Sequence, residues 1–326
     1  MEPAPGYERG GTQKSAYAPD EVVRVACPYC GDDGGTLLFR EYGAIEIVRC
    51  ACAQIYTSPR LPSPERIYWG DRDAYLREAK LIFEGRAPHH RDPNYLEELR
   101  LIERFRAPGS FLDVGCNMGM LMRLARKRGW TVTGVEPSPP LAGLAREQLG
   151  IEVLNCFLHE VPASRDGSFD VVALSDVFEH VSEPLAMLRD AARLLKPDGL
   201  LYVKVPNARF NLFKQWASRI RGRTPRHGVW DSYEHVVHYT DETLRRMLRK
   251  GGFEVFALSA ARPVQIPVWH EHVGHYFLNP SPVLLDWKRH FGRWAFHRLG
   301  LMERMLRGGS VGYLSSSLAA VARRAS

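Results

Sequence analysis

Long hydrophobic runs are missing from this 326-residue sequence. No apolar stretch approaches the roughly 18 residues that suggest a membrane span. The opening Met-Glu-Pro-Ala-Pro-Gly-Tyr-Glu-Arg-Gly has neither the basic stretch nor the apolar core of a signal sequence. Residues 1–20 are rich in Gly, Pro and Ser and read as a disordered lead-in, and the expected compartment is the cytoplasm. Cysteine is scarce, six in all, and four of the six form two close pairs. In a reducing compartment such pairs point to a metal rather than to disulfides. Neither sign of charge dominates: 44 Lys and Arg face 37 Asp and Glu, a formal excess of +7. That suits an acidic partner without requiring one. No segment recurs at a fixed period, which excludes a repeat architecture. With 45% apolar and 25% charged residues, the balance is that of a globular chain.

The cysteine pairs, Cys27/Cys30 and Cys50/Cys52, flank a strand-like stretch at 44–48. Leu61-Pro62-Ser63-Pro64 is a stiff break. Residues 65–106 then read as helix, with Tyr95, Leu96, Leu99, Leu101, Ile102 and Phe105 on an apolar stripe. From Ser110 the texture alternates. Strands are predicted at 111–114, 131–135, 151–154, 169–174, 200–205, 253–258 and 314–322, and helices at 119–128, 139–149, 183–195 and 241–250. Such alternation specifies a doubly wound α/β domain with a seven-stranded, mostly parallel sheet. The expected organisation is a cysteine-rich module at 21–60, a helical linker at 61–106 and the α/β domain at 107–326, with insertions at 208–239 and 262–309.

Phe111-Leu112-Asp113-Val114-Gly115-Cys116-Asn117-Met118-Gly119 ends the first of these strands and opens a helix. Small residues there let the backbone turn sharply and approach a ligand. The G-x-G-x-x-G dinucleotide spacing fails at Asn117 and Met120, and no Gly-Lys-Ser/Thr follows to make a P-loop. The second strand ends Gly134-Val135-Glu136-Pro137, a carboxylate placed to accept from two ribose hydroxyls. The fourth arrives as Gly167-Ser168-Phe169-Asp170-Val171-Val172, and Leu194-Leu195-Lys196-Pro197-Asp198-Gly199 announces the fifth. In this order and spacing, residues 110–260 closely resemble the class I S-adenosylmethionine-dependent methyltransferases. The resemblance implies S-adenosylmethionine as cofactor. Asp113 would lie near the methionine amino group, and Gly115, Cys116, Asn117 and Gly119 would form the loop around the methionine portion. Glu136, with Pro137, would hold the ribose, Phe157 and Leu158 would border the adenine, and Ser175 would close the site at the fourth strand's end. The family often has Asp at the position of Phe157 and Gly at that of Asn117; asparagine tolerates positive φ, so the loop survives.

Ser175-Asp176-Val177-Phe178-Glu179-His180-Val181 follows the fourth strand. Asp176, Glu179 and His180 stand at i, i+3 and i+4, a spacing that converges on one face of a helical turn. They either face the substrate or brace the helix. A similar acid-x-x-Glu-His run in ubiquinone-pathway O-methyltransferases is associated with a divalent metal. The Asn/Asp-Pro-Pro-aromatic run of amine methylation in nucleic acid, the Pro-Cys nucleophile and the C-x3-C-x2-C cluster are all absent. Direct displacement onto oxygen, carbon or nitrogen remains, with alignment supplying much of the rate. A hydroxyl or C–H acceptor also needs a base. Candidates lie in Trp230-Asp231-Ser232-Tyr233-Glu234-His235-Val236-Val237-His238-Tyr239-Thr240, which resembles the small-molecule O-methyltransferase branch. It is also similar to sugar C-methyltransferases, where a Glu-His pair serves catalysis. A histidine with an ordinary pKa near 6.5 suits that work. His235 is the first candidate and His180 the second. His238, three residues on, could share a helical face with His235; both could instead be packing residues.

Cys27-Pro28-Tyr29-Cys30-Gly31 has the form of a zinc knuckle, and Cys50-Ala51-Cys52 supplies a second pair. Four thiolates could close a structural zinc site, although C-x-C must bend harder than C-x2-C to serve one ion; a metal-free remnant is the alternative. The continuation 55–60 resembles the ribbon that precedes methyltransferase domains in this branch. The basic run Arg219-Ile220-Arg221-Gly222-Arg223-Thr224-Pro225-Arg226-His227 suits a solvated lid, or one receiving an acidic or phosphorylated small molecule. Between 284 and 307, apolar residues at helical spacing alternate with arginines, which fits a lid or contact with a membrane surface or lipid-linked substrate. The expected function is methyl transfer to a small-molecule acceptor: a hydroxyl or carbon of a sugar, quinone, lipid-linked or specialised metabolite. An RNA methyltransferase that uses the cysteine module and the basic insertion for binding is the alternative, with nucleic acid the less favoured partner. A cofactor-binding protein without catalysis is the third reading.

Overall fold

The computed structural model of the chain describes residues 7–8, 12–13, 16–62, 72–222, 229–262 and 283–325. Strands β1 (Tyr7–Glu8) and β2 (Thr12–Gln13) pair as a short antiparallel ladder. The rest of the lead-in up to residue 15 lies outside the described residues. Strands β3 (Thr36–Glu41), β4 (Ile45–Arg49) and β5 (Ile55–Thr57) form an antiparallel meander. The expected helix over 65–106 is two helices, α1 (Arg72–Phe83) and α2 (Asp92–Glu103). Gly85, in the left-handed region at φ +72, and Pro88 break the run between them.

The α/β domain follows: β6 (Ser110–Val114), α3 (Met120–Lys127), β7 (Thr131–Val135), α4 (Pro139–Leu149), β8 (Glu152–Leu154), β9 (Phe169–Ser175), α5 (Pro184–Leu194) and β10 (Leu195–Pro206). Helix α6 (Ala208–Ile220) and the two-residue strand β11 (Val237–His238) come next, then α7 (Asp241–Lys250), β12 (Phe253–Ala261), α8 (Val283–Leu306) and β13 (Ser317–Arg324). The last strand starts three residues later than its apolar pattern predicts. Seven strands join in the order β12-β13-β10-β9-β6-β7-β8, with only β13 antiparallel to its neighbours. This is the predicted doubly wound, mostly parallel sheet.

Its strands are buried on both faces, and period-2 alternation divides their side chains. Leu112, Val172, Leu201, Val203 and Ala320 pack with Leu188 of α5 and Leu244 and Met247 of α7. Phe111, Val171, Tyr202 and Val321 turn the other way, onto Leu99 and Ile102 of α2 and Leu121 of α3. Parallel strands place their carboxyl ends on one edge, where the β6, β7, β9 and β10 termini meet. A second sheet abuts that edge. It has the order β11-β5-β4-β3, so the N-terminal meander is completed by a strand from near residue 238. Residues 223–228 of the basic run and 263–282 of the second insertion lie outside the described residues.

Candidate active site

Asp113, one residue before the end of β6, is buried, and its carboxylate makes no hydrogen bond or ion pair among the described residues. Burial, then the charges of Glu98 and Glu136, push its pKa well up. A cationic group arriving beside it would relieve that cost, so the position fits the α-amino group of S-adenosylmethionine. Glu136 directly follows β7 and is also buried. One oxygen accepts from the Asn117 N–H at 2.8 Å and the other from the Ser138 N–H at 2.9 Å. A carboxylate has about four lone-pair sites, so capacity is left for ribose hydroxyls. The loop between them turns through left-handed backbone at Gly115 (φ +66), Asn117 (φ +51) and Gly119 (φ +83). Asparagine adopts the required φ, and its side-chain oxygen accepts from the Met118 N–H at 2.7 Å.

The glycines also have a packing reason. A Cβ at Gly115 would lie 2.7 Å from Val177, and one at Gly119 would lie 2.6 Å from Leu149. The Cys116 thiol turns into the core against Met122 and Ala145, so only its main chain belongs to the loop. Pro137 is half-buried and its carbonyl accepts from the Asn155 amide. Leu158 is likewise a core residue, while half-buried Phe157 stacks on His159 with ring centroids 5.9 Å apart.

The turn after β9 is a single 3-10 turn, Phe178–His180, and the expected common face does not form. Asp176, at φ +55, turns to Lys204 (2.7 Å) and Arg91 (2.5 Å). Burial opposes its charge, yet the two cations hold its pKa at about 2. Lys204 is buried within β10 and also stands 3.2 Å from Glu98 of α2. The Ser175 hydroxyl donates to Glu98 at 2.7 Å, so it is committed to this cluster. Arg91, Glu98 and Lys204 escaped the sequence reading. The available signal was Lys204, the one charged residue in Leu200–Val205, a strand otherwise apolar.

His180 and His235 meet edge to face, their ring centroids 4.7 Å apart. His180 Nδ1 lies 3.1 Å from the Glu234 carbonyl, which makes Nδ1–H the donor and Nε2 the unprotonated nitrogen of the neutral ring. Burial lowers the pKa of His180 to about 4; burial, then His180 and His238, lower that of His235 well below 6.5. Both rings are therefore neutral at pH 7. Glu179 is buried, its Oε2 has no hydrogen-bond partner among the described residues, and burial followed by the Asp176 charge pushes its pKa well up. The ligand atoms of Glu179, His180 and His235 all lie within 4.8 Å of one another, close enough for one cation. His238 stands apart from this pair. It belongs to β11 rather than to a helix, packs edge-on to Trp230 at 5.0 Å, and has Nε2 3.1 Å from the Thr57 hydroxyl.

Cys27, Cys30, Cys50 and Cys52 are unbridged, with all four sulfurs within 4.8 Å of one another. Cys27 and Cys52 are 3.6 Å apart and Cys30 and Cys50 are 3.4 Å apart. Sulfurs about 2.3 Å from a tetrahedral zinc are separated by under 4 Å, so the cage fits that ion. Burial pushes Cys50 up to about 11 and Cys27 further, so thiolates here need a cation among them. The hard bend of C-x-C is taken up at Ala53, whose φ is +71 and whose N–H returns to the Cys50 carbonyl at 2.9 Å.

A family profile described as a methyltransferase domain matches residues 88–258, a little over half of the chain. This chain belongs to the methyltransferase family. Its relatives include the ubiquinone biosynthesis O-methyltransferase of Xanthomonas campestris, 34% identical over 110 residues, which cover 32% of this chain and 46% of that protein. The Coxiella burnetii protein of the same name is 33% identical over 106 residues, covering 31% and 45%. The chain thus spans about half the length of these relatives. Among solved structures, Burkholderia thailandensis 1,6-didemethyltoxoflavin-N1-methyltransferase aligns over 86% of this methyltransferase and 96% of its own chain, at 15% identity and a TM-score of 0.45. Magnesium protoporphyrin IX methyltransferase from Synechocystis aligns over 72% and 84%, at 16% identity and a TM-score of 0.44. Among the described residues no helix is long and apolar enough to cross a membrane.

Proposed function

We propose that this methyltransferase moves a methyl group from S-adenosylmethionine to a hydroxyl or carbon of a small-molecule acceptor, with His235 as the base. The observation that carries the reading is the placement of the neutral His180–His235 pair against the cofactor edge. Gly115 of the loop packs on Val177, three residues before His180. The cofactor supplies an electrophilic methyl on a sulfonium centre. The chain supplies the rest: Asp113 and Glu136 anchor the methionine and ribose portions of the cofactor, and the imidazole pair takes the proton that the acceptor gives up. A neutral ring of lowered pKa is a weaker base than ordinary histidine but is unprotonated at every physiological pH. The cysteine module, residues 21–60, holds one structural zinc and serves the methyltransferase domain rather than standing apart. Calorimetry tests the reading first. S-adenosylmethionine should bind, and Glu136→Ala should weaken it by about 1.5–3 kcal/mol, the usual worth of a hydrogen bond to a charged group. No binding, or tighter binding of a nicotinamide dinucleotide, would overturn the assignment.

An acceptor presented at a membrane surface is favoured by the outer side of α8. Phe291, Trp294, Met302, Met305 and Leu306 are exposed there, beside exposed Trp216 and Ile220 of α6. Phe296 joins the two helices through Phe210 and Phe213, with centroids 6.3 and 6.1 Å apart. Arg219, Arg221, Arg298 and Arg307 are exposed on the same helices and their C-terminal flanks. An outward apolar stripe edged by arginine suits an anionic interface.

A further inference from the structure

We infer that Thr57, at the end of the four-cysteine ribbon, is a positioning residue that sets the His235 segment in place. The inference rests on the proposed role of His235, but its geometry stands separately.

Residues 229–238 are held chiefly by the ribbon. The Glu41 carboxylate, at the end of β3 and 1% exposed, takes four hydrogen bonds from that segment. They come from the N–H groups of Val229 (2.9 Å), Trp230 (3.0 Å) and Ser232 (3.1 Å) and from the Ser232 hydroxyl (2.8 Å). Four donors converging on one buried carboxylate offset the cost of burying it, which makes this a specific clamp rather than a chance contact. Strand β11 then pairs with β5, Val237 opposite Tyr56 and His238 opposite Ile55. The Gln54 side-chain amide donates to the His238 carbonyl at 2.9 Å.

Thr57 ends this ladder and makes three contacts at once. Its N–H donates to the Val236 carbonyl at 3.0 Å, and its hydroxyl donates to the His235 carbonyl at 2.8 Å. With its only proton so used, the hydroxyl accepts from His238 Nε2–H at 3.1 Å. On the far side of His235, the Val236 N–H donates to the Glu179 carbonyl at 2.9 Å, and the Glu234 carbonyl orients His180. His235 therefore sits between two fixed anchors, one on the ribbon and one at the end of β9.

Strand alternation links the anchor to the sulfurs. Tyr56 packs among Cys27, Val48 and Cys50, while its neighbour Ile55 packs with Ile47, Ala208 and Trp230 on the opposite face. The second knuckle is pinned to α7 as well, since Arg246 donates to the Cys52 carbonyl at 2.7 Å. Order at the four thiolates thus passes through β5 to Thr57 and on to His235. A zinc ion there would fix the β5 register on which the His235 carbonyl depends.

The test uses the full chain labelled with 15N-histidine and needs no acceptor. Thr57→Val should shift the His235 and His238 ring signals and speed amide exchange at residues 236–238 at least tenfold. Thr57→Ser, which keeps the hydroxyl, should restore both, and S-adenosylmethionine affinity should stay within about twofold in all three proteins. Removing the metal with a chelator should move the same signals in the same direction. Unchanged ring signals and exchange in Thr57→Val, or after chelation, would overturn the inference. If His235→Ala keeps full turnover while Thr57→Val still displaces the ring signals, the base assignment fails and the positioning stands.

Discussion

His235 and His180 are neutral because burial removes the water that would solvate their charge, and the sign of the pH response follows. With an acceptor in hand, turnover should stay level from pH 8 through the ordinary histidine range near 6.5 and fall only well below it, as rings of depressed pKa finally protonate. His235→Ala should lower kcat by about 10²–10⁴ and leave cofactor affinity unchanged. A variant with near-native turnover would pass the role to His180 or to alignment alone. His238 gives a cleaner stability test, since burial alone lowers its pKa to about 3. The unfolded chain takes up a proton below about 6.5, while the folded chain refuses it until pH 3. Its stabilising contribution is therefore complete above 6.5 and lost as pH falls toward 3. Relative to His238→Gln, the wild type should lose on the order of 1 kcal/mol per pH unit below about 6, read from denaturant unfolding at several pH values. Parallel curves for the two proteins would refute the burial argument.

The ribbon and the Rossmann-like sheet depend on different forces. The large sheet buries two faces under α2, α3, α5 and α7, and its burial suffices for order. The meander β3–β5 has only small clusters, around Tyr42, Cys27 and Ile55, so a staple at the cysteines is expected to add order there. Purified protein should carry about one zinc per chain by elemental analysis. Cys27→Ser with Cys30→Ser should abolish it and expose the amides of 22–57 to exchange, while those of β6, β9 and β10 stay protected. Metal-free protein with a fully protected ribbon would show that the cage closes without an ion.

For the whole molecule, the outward stripe on α8 makes a prediction independent of catalysis. The protein should sediment with vesicles of phosphatidylglycerol and phosphatidylcholine but not of phosphatidylcholine alone, and salt at 0.5 M should weaken the binding several-fold. Replacing Trp294, Met302 and Met305 by serine should abolish it without loss of fold, since all three are exposed. Self-association in sedimentation velocity that the triple variant abolishes, without vesicle binding, would assign the stripe to a second copy instead.

What the sequence determined by itself is what is local along the chain. Short apolar runs separated by helical patterns specified the strands and their burial on two faces. The Phe111–Gly119 and Gly134–Pro137 runs marked the carboxyl edge of the sheet because a strand, a tight turn and a helix start occupy about nine consecutive residues. The cysteine pairs announced their own cage. Tertiary structure alone decided the rest. Arg91 finds Asp176 across 85 positions, Thr57 finds the His235 carbonyl across 178, and Glu41 finds Trp230 across 189. No periodicity or spacing encodes such partners, because each pair is made by the packing of whole elements and not by the chain between them. The ribbon read as a separate module for that reason. Its fourth strand lies near residue 238, and only the folded chain brings it home.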